Sequence, residues 1–320
     1  MRLRIERLEK VHADEAARLV GWRYAALRAQ VPSLPSSYED PDAFSGRLLR
    51  LIDRGVGVAA FDAGRMLGFL AACLIGPLRG RPCALSPEWG NGADAATRRR
   101  VVEAMYREAA PEWLQRGDVS HVVCVLAHDS EALEAWAWAG FGRMVCDAVR
   151  PLEPIAAGPG GPEVRRASPD DIESILPLAR ALREHLAAAP VYVLDRESED
   201  QAAWDAALRD PGIAVWVAAR RGSVIGYLRQ GPSTDDACDI IVDAGTTSIT
   251  GAYVEPAARG EGVATSLLAR AIDWGREQGY ARCSVDFETA NSSAARFWLQ
   301  HFSPVVVSLG RTHDPRLLPA

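Results

Sequence analysis

In the first half of the chain, stretches with strand-like spacing of apolar residues alternate with stretches that have helix-like spacing. Short alternating or continuous apolar stretches predict strands at 3–8, 56–61, 66–75, 83–85, 121–126 and 143–151. Longer stretches with apolar residues three or four positions apart predict helices at 13–29, 41–54, 94–116 and 130–139. Strands and helices in this mixed order predict the α/β class with a mixed sheet.

The second half shows a similar order of elements. A strand at 164–166 precedes a helix that starts after Ser168, a second helix follows at 199–209, and strands at 213–219 and 224–230 form a hairpin. Between the halves lies a glycine- and proline-rich segment, 155–162, which is typical of a linker. We therefore expect two domains, 1–154 and 163–320.

Residue matches between the halves indicate a duplication. Gly64-Arg-Met-Leu-Gly-Phe-Leu70 matches Gly222-Ser-Val-Ile-Gly-Tyr-Leu228, 158 positions later. Asp129-x-x-Ala-x-x-x-Trp136 matches Asn291-x-x-Ala-x-x-x-Trp298, 162 positions later. Two matches at similar separations predict two copies of one fold.

The most informative segment is 254–269, where a strand-like stretch ends at Pro256 and a helix begins beyond Gly262. Glycines just before a helix let a ligand approach the backbone, because they carry no Cβ. The free N–H groups of the first turn and the positive end of the helix dipole then attract an anion. This segment predicts a phosphate-binding site.

Residues Arg259-x-x-Gly-x-Ala264 resemble the loop that binds the acyl-CoA pyrophosphate in the GNAT superfamily of N-acetyltransferases. A strand at 282–288 and the sequence Asn291-x-x-Ala-x-x-Phe-Trp298 follow, and they resemble the next strand and helix of that family. The resemblance implies tandem acetyltransferase domains, with acetyl-CoA as co-substrate and no metal. It also implies direct transfer of the acyl group to the amine of a small molecule within a ternary complex.

The same resemblance assigns the cofactor contacts. Main-chain groups of the loop would bind the pyrophosphate, and the end of the preceding strand would run beside the pantetheine arm. The helix that begins at Asn291 would add two side chains. These residues are Arg259, Gly260, Glu261, Gly262, Val263 and Ala264; Tyr253, Val254 and Glu255; and Asn291 and Trp298.

Candidate acid–base groups are less sharply defined. Asp286 and Glu288 share one strand face, and Glu288 at the strand end is the preferred general base, with Asp286 and Glu255 as alternatives. Tyr253 is a candidate proton relay, although a core position also fits it. Many members of the family carry a tyrosine as acid where this chain has Trp298, whose indole N–H is too weak an acid, so a packing role is expected there. Histidines 185, 301 and 313 are weaker candidates.

In the first copy, 87–94 is taken as the counterpart of the loop. It lacks the arginine and carries Glu88 and Asp94, which would repel a pyrophosphate, although Asp94 also fits a helix N-cap. We therefore expect a first domain that keeps the fold without the cofactor. It would serve as a platform for the second domain.

Composition narrows the remaining options. A formal charge of −6 and a pI near 5.6 argue against a nucleic-acid partner. The apolar stretches are too short to span a membrane, and the amino terminus does not resemble a signal peptide, so a cytoplasmic protein is expected. Its expected oligomeric state is a monomer or a homodimer. The six cysteines are scattered without zinc-ligand spacing and are expected to be buried apolar residues.

Two acidic segments, 195–200 and one containing Asp235, Asp236, Asp239 and Asp243, suggest a cationic acceptor such as an amino sugar or polyamine. Helix capping and ordinary surface charge explain them equally well. Two other functions remain open. One is an acyl-CoA-binding regulatory protein that has lost catalysis, and the other is an enzyme like mycothiol synthase, a tandem acetyltransferase of similar length.

Overall fold

The computed structural model describes residues 3–156, 158, 160–194, 201–234 and 238–318. The chain divides into two compact units. Unit 1 comprises Met1–Asp147, Cys238–Ile240 and Pro304–Ala320, and unit 2 comprises Ala148–Ala237 and Ile241–Ser303.

The helices and strands confirm the mixed α/β class. In chain order they are β1 (Arg4–Arg7), α1 (Ala13–Gln30), α2 (Asp42–Arg54), β2 (Val56–Asp62), β3 (Arg65–Leu78), β4 (Arg81–Ser86), β5 (Asn91–Ala93), α3 (Arg98–Gln115), β6 (Ser120–Leu126), α4 (Ser130–Trp138), β7 (Gly142–Pro151), β8 (Glu163–Arg166), α5 (Ile172–Ala187), α6 (Gln201–Arg209), β9 (Ala214–Arg220), β10 (Ser223–Pro232), β11 (Thr246–Val254), α7 (Val263–Glu277), β12 (Arg282–Glu288), α8 (Ser292–His301) and β13 (Ser303–Thr312).

The two units repeat one strand pattern. In unit 1 the strands lie in the order β1-β2-β3-β4-β6, antiparallel except for the parallel pair β4 and β6. Unit 2 has the order β8-β9-β10-β11-β12, again with the last pair, β11 and β12, parallel. A long helix joins the two parallel strands in each unit, α3 in the first and α7 in the second.

The matched residues occupy matched positions. The turns that precede β3 and β10 both place two residues at positive φ, Ala63–Gly64 and Arg221–Gly222. A Cβ on Gly68 would lie 2.7 Å from Gly92 O, and one on Gly226 would lie 2.9 Å from Tyr253 O, so both positions exclude a side chain.

The predicted domain boundary differs from the observed division. Unit 1 ends within β7, ahead of the linker 155–162, and it contains the C-terminal strand β13, which pairs antiparallel with β6 from Val306–Leu126 to Thr312–Ser120. A ladder of seven residue pairs ties this end of the chain to the first unit. The predicted assignment of 163–320 to one domain is therefore wrong for the last residues. Within the described residues, no helix has both the length and the apolar character needed to cross a membrane.

Candidate functional site

The segment that precedes α7 adopts the glycine-dependent conformation predicted from the sequence. Gly260 has φ +80° and Gly262, the N-cap of α7, has φ +78°. A Cβ at either position would meet nothing within 4 Å, so backbone conformation rather than space requires glycine there. The loop presents open backbone at the start of a helix of 15 residues.

The first turn of α7 carries N–H groups without helical acceptors. The first i→i−4 bond runs from Ser266 N–H to Gly262 O at 2.9 Å. The N–H groups of Val263, Ala264 and Thr265 therefore precede the helical ladder, and Gly262 has no side chain with which to cap them. Together with the helix dipole, these donors favour an anion at this point.

Two loop side chains bond within unit 2. Arg259 donates through Nε to Val254 O at 3.0 Å, and its guanidinium lies 5.4 Å from the centre of the Tyr253 ring. The carboxylate of Glu261 pairs with Arg220. Glu261 could thus contribute its main chain to a bound anion, whereas its side chain is engaged elsewhere.

Strands β11 and β12 part next to this loop. Their parallel pairing runs from Thr246–Arg282 to Ile249–Val285, although β11 continues to Val254 and β12 to Glu288. A register shift against β10 places an additional residue, Thr250, on β11 at the point of separation. A bulge bends and twists its strand, which accounts for the divergence.

Helix α8 starts at Asn291. The Asn291 Oδ1 accepts bonds from Ser293 Oγ at 2.9 Å and Ala294 N–H at 3.3 Å, so it caps the helix. Trp298 lies on the same helix and is buried. Its ring contacts those of Phe297 and Phe302, with centroid separations of 4.9 Å and 5.6 Å. Trp298 thus packs against these two aromatic rings.

These elements surround a cleft of about 510 Å³ in unit 2. Nine of the predicted cofactor residues line it: Tyr253, Val254, Arg259, Gly260, Gly262, Val263, Ala264, Asn291 and Trp298. The remaining walls come mainly from α5, β10 and α8, and they include Leu182, His185, Tyr227 and Phe297. Glu255 and Glu261 are not among the lining residues.

The predicted carboxylate bases do not line the cleft. Asp286 is exposed on β12 and Glu288 is half-buried at its end, and neither is among the lining residues. His185, in the last turn of α5, does line the cleft. Its position has a signal in the sequence, because it lies seven residues after Leu178 and three after Leu182 on the helix face that packs against the sheet.

In unit 1 the counterpart of the loop is not 87–94, contrary to the prediction. Residues 91–93 form β5, which pairs with β3 as the end of β11 pairs with β10. Asp94 then caps a 3-10 turn, Ala95–Thr97, by accepting a bond from Ala96 N–H at 3.0 Å, and α3 begins directly at Arg98. No described residue from 95 to 98 has positive φ, so the glycine loop of unit 2 has no equivalent here.

Glu88 also has another role than the predicted one. It is buried within unit 1, where its Oε1 accepts the N–H of Ile240 at 3.1 Å. Burial, with Asp239 nearby, raises the pKa of Glu88 to about 7, so this carboxyl does not carry a full charge at neutral pH.

Asp129, the counterpart of Asn291, is part of a buried ion cluster in unit 1. Its Oδ1 lies 2.8 Å from Arg98 Nη1 and accepts the N–H of Ala132 at 2.9 Å. Its Oδ2 lies 3.5 Å from Arg23 Nη2, and Arg23 is almost fully buried. The N-terminal end of α3 is thus next to a carboxylate of the chain itself.

The acidic segments are only partly described. Residues 195–200, Asp235 and Asp236 lie outside the described residues. Asp239 lies 3.5 Å from Arg47 and accepts a bond from Trp89 Nε1 at 2.5 Å, whereas Asp243 lies 2.5 Å from Arg282. The two described aspartates are therefore balanced by arginines, and they give no support to a cationic acceptor.

The cysteines are free thiols that are buried or half-buried, as expected. Burial raises the pKa of Cys83 to about 11 and that of Cys283 to about 12, so both stay protonated at neutral pH.

Comparison with known proteins agrees with this geometry. Residues 179–302 match the family model described as acetyltransferase (GNAT) family. A stretch of 76 residues is 34% identical to the uncharacterised N-acetyltransferase YjgM of Escherichia coli, and it spans 24% of this chain but only 42% of that relative.

Solved structures share the fold over the whole chain. A GCN5-related N-acetyltransferase from Sphaerobacter thermophilus aligns with 99% of this chain and 96% of its own, at TM-score 0.58 and 16% identity. A GCN5-related glucosamine N-acetyltransferase region of a fungal multi-domain β-N-acetylglucosaminidase aligns with 97% of this chain and 38% of its own, at TM-score 0.54 and 13% identity. Over residues 179–302 this protein is therefore similar to the acetyltransferase (GNAT) family, and the solved structures share its fold.

Proposed function

We propose that the protein is an N-acetyltransferase that transfers the acyl group of acetyl-CoA to the amine of a small molecule, at the cleft of unit 2. The observation that carries this proposal is the meeting, in one cleft, of the glycine loop at the start of α7 and the separated end of β11. The family match over 179–302 supports the same reading.

The pyrophosphate of the cofactor would bind at the first turn of α7. Three N–H groups, those of Val263, Ala264 and Thr265, precede the helical ladder there, and the open backbone of Gly260 and Gly262 lets phosphate oxygens approach. Arg259 lies at the same place and adds positive charge.

The pantetheine arm would run along β11 beyond its last contact with β12. From Thr250 to Val254, one edge of β11 no longer pairs with β12. Main-chain groups on that edge could bond the amides of pantetheine, as an added strand would, and a backbone N–H could stabilise the oxyanion at the thioester carbon. The amine then attacks that carbon directly, and CoA leaves as the thiolate.

We further propose that the two units are tandem copies of one fold and that unit 1 binds no acyl-CoA. Its helix α3 follows the 3-10 turn Ala95–Thr97 without a glycine loop, and Asp94 caps that turn through its carboxylate. Arg98, the first residue of α3, is paired with Asp129 of the chain itself and so is already engaged.

Isothermal titration calorimetry with acetyl-CoA tests the stoichiometry, and release of CoA in the presence of amines tests the chemistry. We expect one site per chain and amine-dependent release of CoA. Two equivalent sites would refute the assignment to unit 2 alone. Stoichiometric binding without release of CoA for any amine would instead favour the regulatory acyl-CoA-binding protein.

A further inference from the structure

We propose that His185 is the general base that takes the proton from the acceptor amine. The proposal rests on the acyl transfer proposed above, and it adds a catalytic residue on the acceptor side of the cleft. His185 replaces the carboxylates Asp286 and Glu288 as the candidate base, because neither of those residues lines the cleft.

The first argument is the position of His185 on α5. Ile175, Leu178 and Ala179 of this helix belong to the core of unit 2 together with Tyr227 and Tyr253, and Leu182 packs against that core. His185 continues the same face by one turn, where an apolar residue would complete the packing. It instead brings a half-buried imidazole into the cleft beside β10 and β11.

The second argument is the chemistry of the cleft walls. The other titratable or charged side chains that line the cleft, in the described part of the chain, are Tyr227 on β10, Tyr253 on β11 and Arg259 beyond it. Phenol and guanidinium groups exchange protons far above neutral pH, whereas imidazole does so close to it. Imidazole is therefore the group suited to accept a proton from an amine at physiological pH.

Among the described residues, no carboxylate of α5 or α6 lines the cleft. On α6, Asp205 bonds Arg209 through both carboxylate oxygens, at 2.8 Å and 3.0 Å. Asp171, before α5, is held by Arg165 at 2.6 Å, and this pairing lowers the pKa of Asp171 to about 2. On α5 itself, Glu173 and Glu184 are both exposed.

The proposed step is balanced in protons and electrons. The ammonium group of the acceptor gives one proton to His185, and the lone pair of the resulting amine forms the C–N bond at the thioester carbon. The C–S bond breaks and its electron pair leaves on sulfur. The second proton of the amine ends on the CoA thiolate, and His185 releases its proton to water.

The test compares His185→Gln with the matched variant Glu184→Gln, which removes a titratable group one residue away on the exposed side. Acceptors are 2-phenylethylamine, glucosamine and spermidine. For the amine with the fastest wild-type turnover, we expect kcat/KM of His185→Gln to fall about 100-fold at neutral pH, which is the scale of general base catalysis. The Kd for acetyl-CoA should stay within about twofold.

The pH profile separates catalysis from structure. The deficit of His185→Gln should shrink as pH rises, because free amine then forms without a base, and added imidazole should restore part of the rate. A parallel profile with a constant deficit, no rescue, or an equal loss in Glu184→Gln would overturn the role of His185. If the wild-type chain releases no CoA with any of the three amines, the acyl transfer is itself refuted.

Discussion

Exchanging Asp129 for Asn tests whether the buried ion cluster stabilises unit 1. Asn is as good an N-cap as Asp, so the cap on the N–H of Ala132 should persist. The change removes the only negative charge that the structure describes within ion-pair distance of Arg23, and one of the two partners of Arg98. The exchange thus removes the charge that pairs with Arg23 and Arg98 and leaves the cap of α4 in place.

The expected loss of stability follows from burial. Arg23 is 3% exposed, and burial lowers the pKa of its guanidinium while the charge of Asp129 opposes this. Removing one partner of a buried pair costs about 3–5 kcal/mol. Arg23 Nη1 keeps its bond to Asn91 O at 2.7 Å and Arg98 keeps Glu131 at 3.2 Å, so we expect the lower end, about 3 kcal/mol.

Urea unfolding followed by circular dichroism measures this change. With a slope of about 2 kcal/mol per M, a loss of about 3 kcal/mol lowers the transition of unit 1 by about 1.5 M. The matched control is Asn291→Asp, which makes the reverse exchange at the cap of α8. Among the described residues no arginine bonds Asn291, so this exchange leaves no guanidinium unpaired, and the N-terminal end of the α8 dipole favours the new carboxylate. A change below about 1 kcal/mol is therefore expected.

The reasoning would be refuted if Asp129→Asn lost less than about 1 kcal/mol. A strong salt dependence of the loss would also refute it, because buried charges are screened little.

Three further predictions concern other parts of the molecule. Arg259→Glu should weaken acetyl-CoA binding at least tenfold by calorimetry, because it reverses charge beside the first turn of α7, whereas the exposed control Arg296→Glu on α8 should not. Trp298→Phe should lower the urea midpoint and leave kcat almost unchanged, because the indole packs among aromatic rings. A loss of about 100-fold in kcat with normal folding would contradict this. Burial lowers the pKa of His121 from 6.5 to about 3, so the folded state binds fewer protons than the unfolded state between these values. Stability should therefore fall as pH drops below about 6.5, by up to about 1.4 kcal/mol per pH unit, and His121→Asn should fall less steeply in urea titrations at several pH values.

Local rules in the sequence were enough to predict most elements and the loop. The positions of α1, α2, α4 and the hairpin β9–β10 follow from apolar periods and turn residues, which depend on neighbours close in the chain. The same holds for Gly260 and Gly262, whose positive φ is a property of the loop itself. The proposed duplication rests on matched glycines, Gly68 and Gly226, which stand where a side chain has no room.

The strand pairings could not be read from the sequence. β13 is not among the predicted strands, and its pairing with β6 joins residues more than 150 positions apart. The sequence places β5 within the loop counterpart, because three residues show no period of their own. Only the pairing with β3 identifies them as a strand. These errors share one cause, since a strand is stabilised by partners that can lie anywhere in the chain.

The candidate site likewise has one part that local sequence determines and another that depends on tertiary structure. The sequence by itself determined the glycine loop, its arginine and the helix that follows, because a helix start is a local structure with a fixed set of free N–H groups. Only the tertiary structure decided which side chains meet in the cleft. It brought His185 of α5 and Tyr253 of β11 to the walls of one cleft, left Asp286 and Glu288 outside its lining, and placed Asp129 against Arg23 in unit 1. Those positions depend on the separation of β11 from β12 and on how helices pack over the sheet, which no single segment of the sequence specifies.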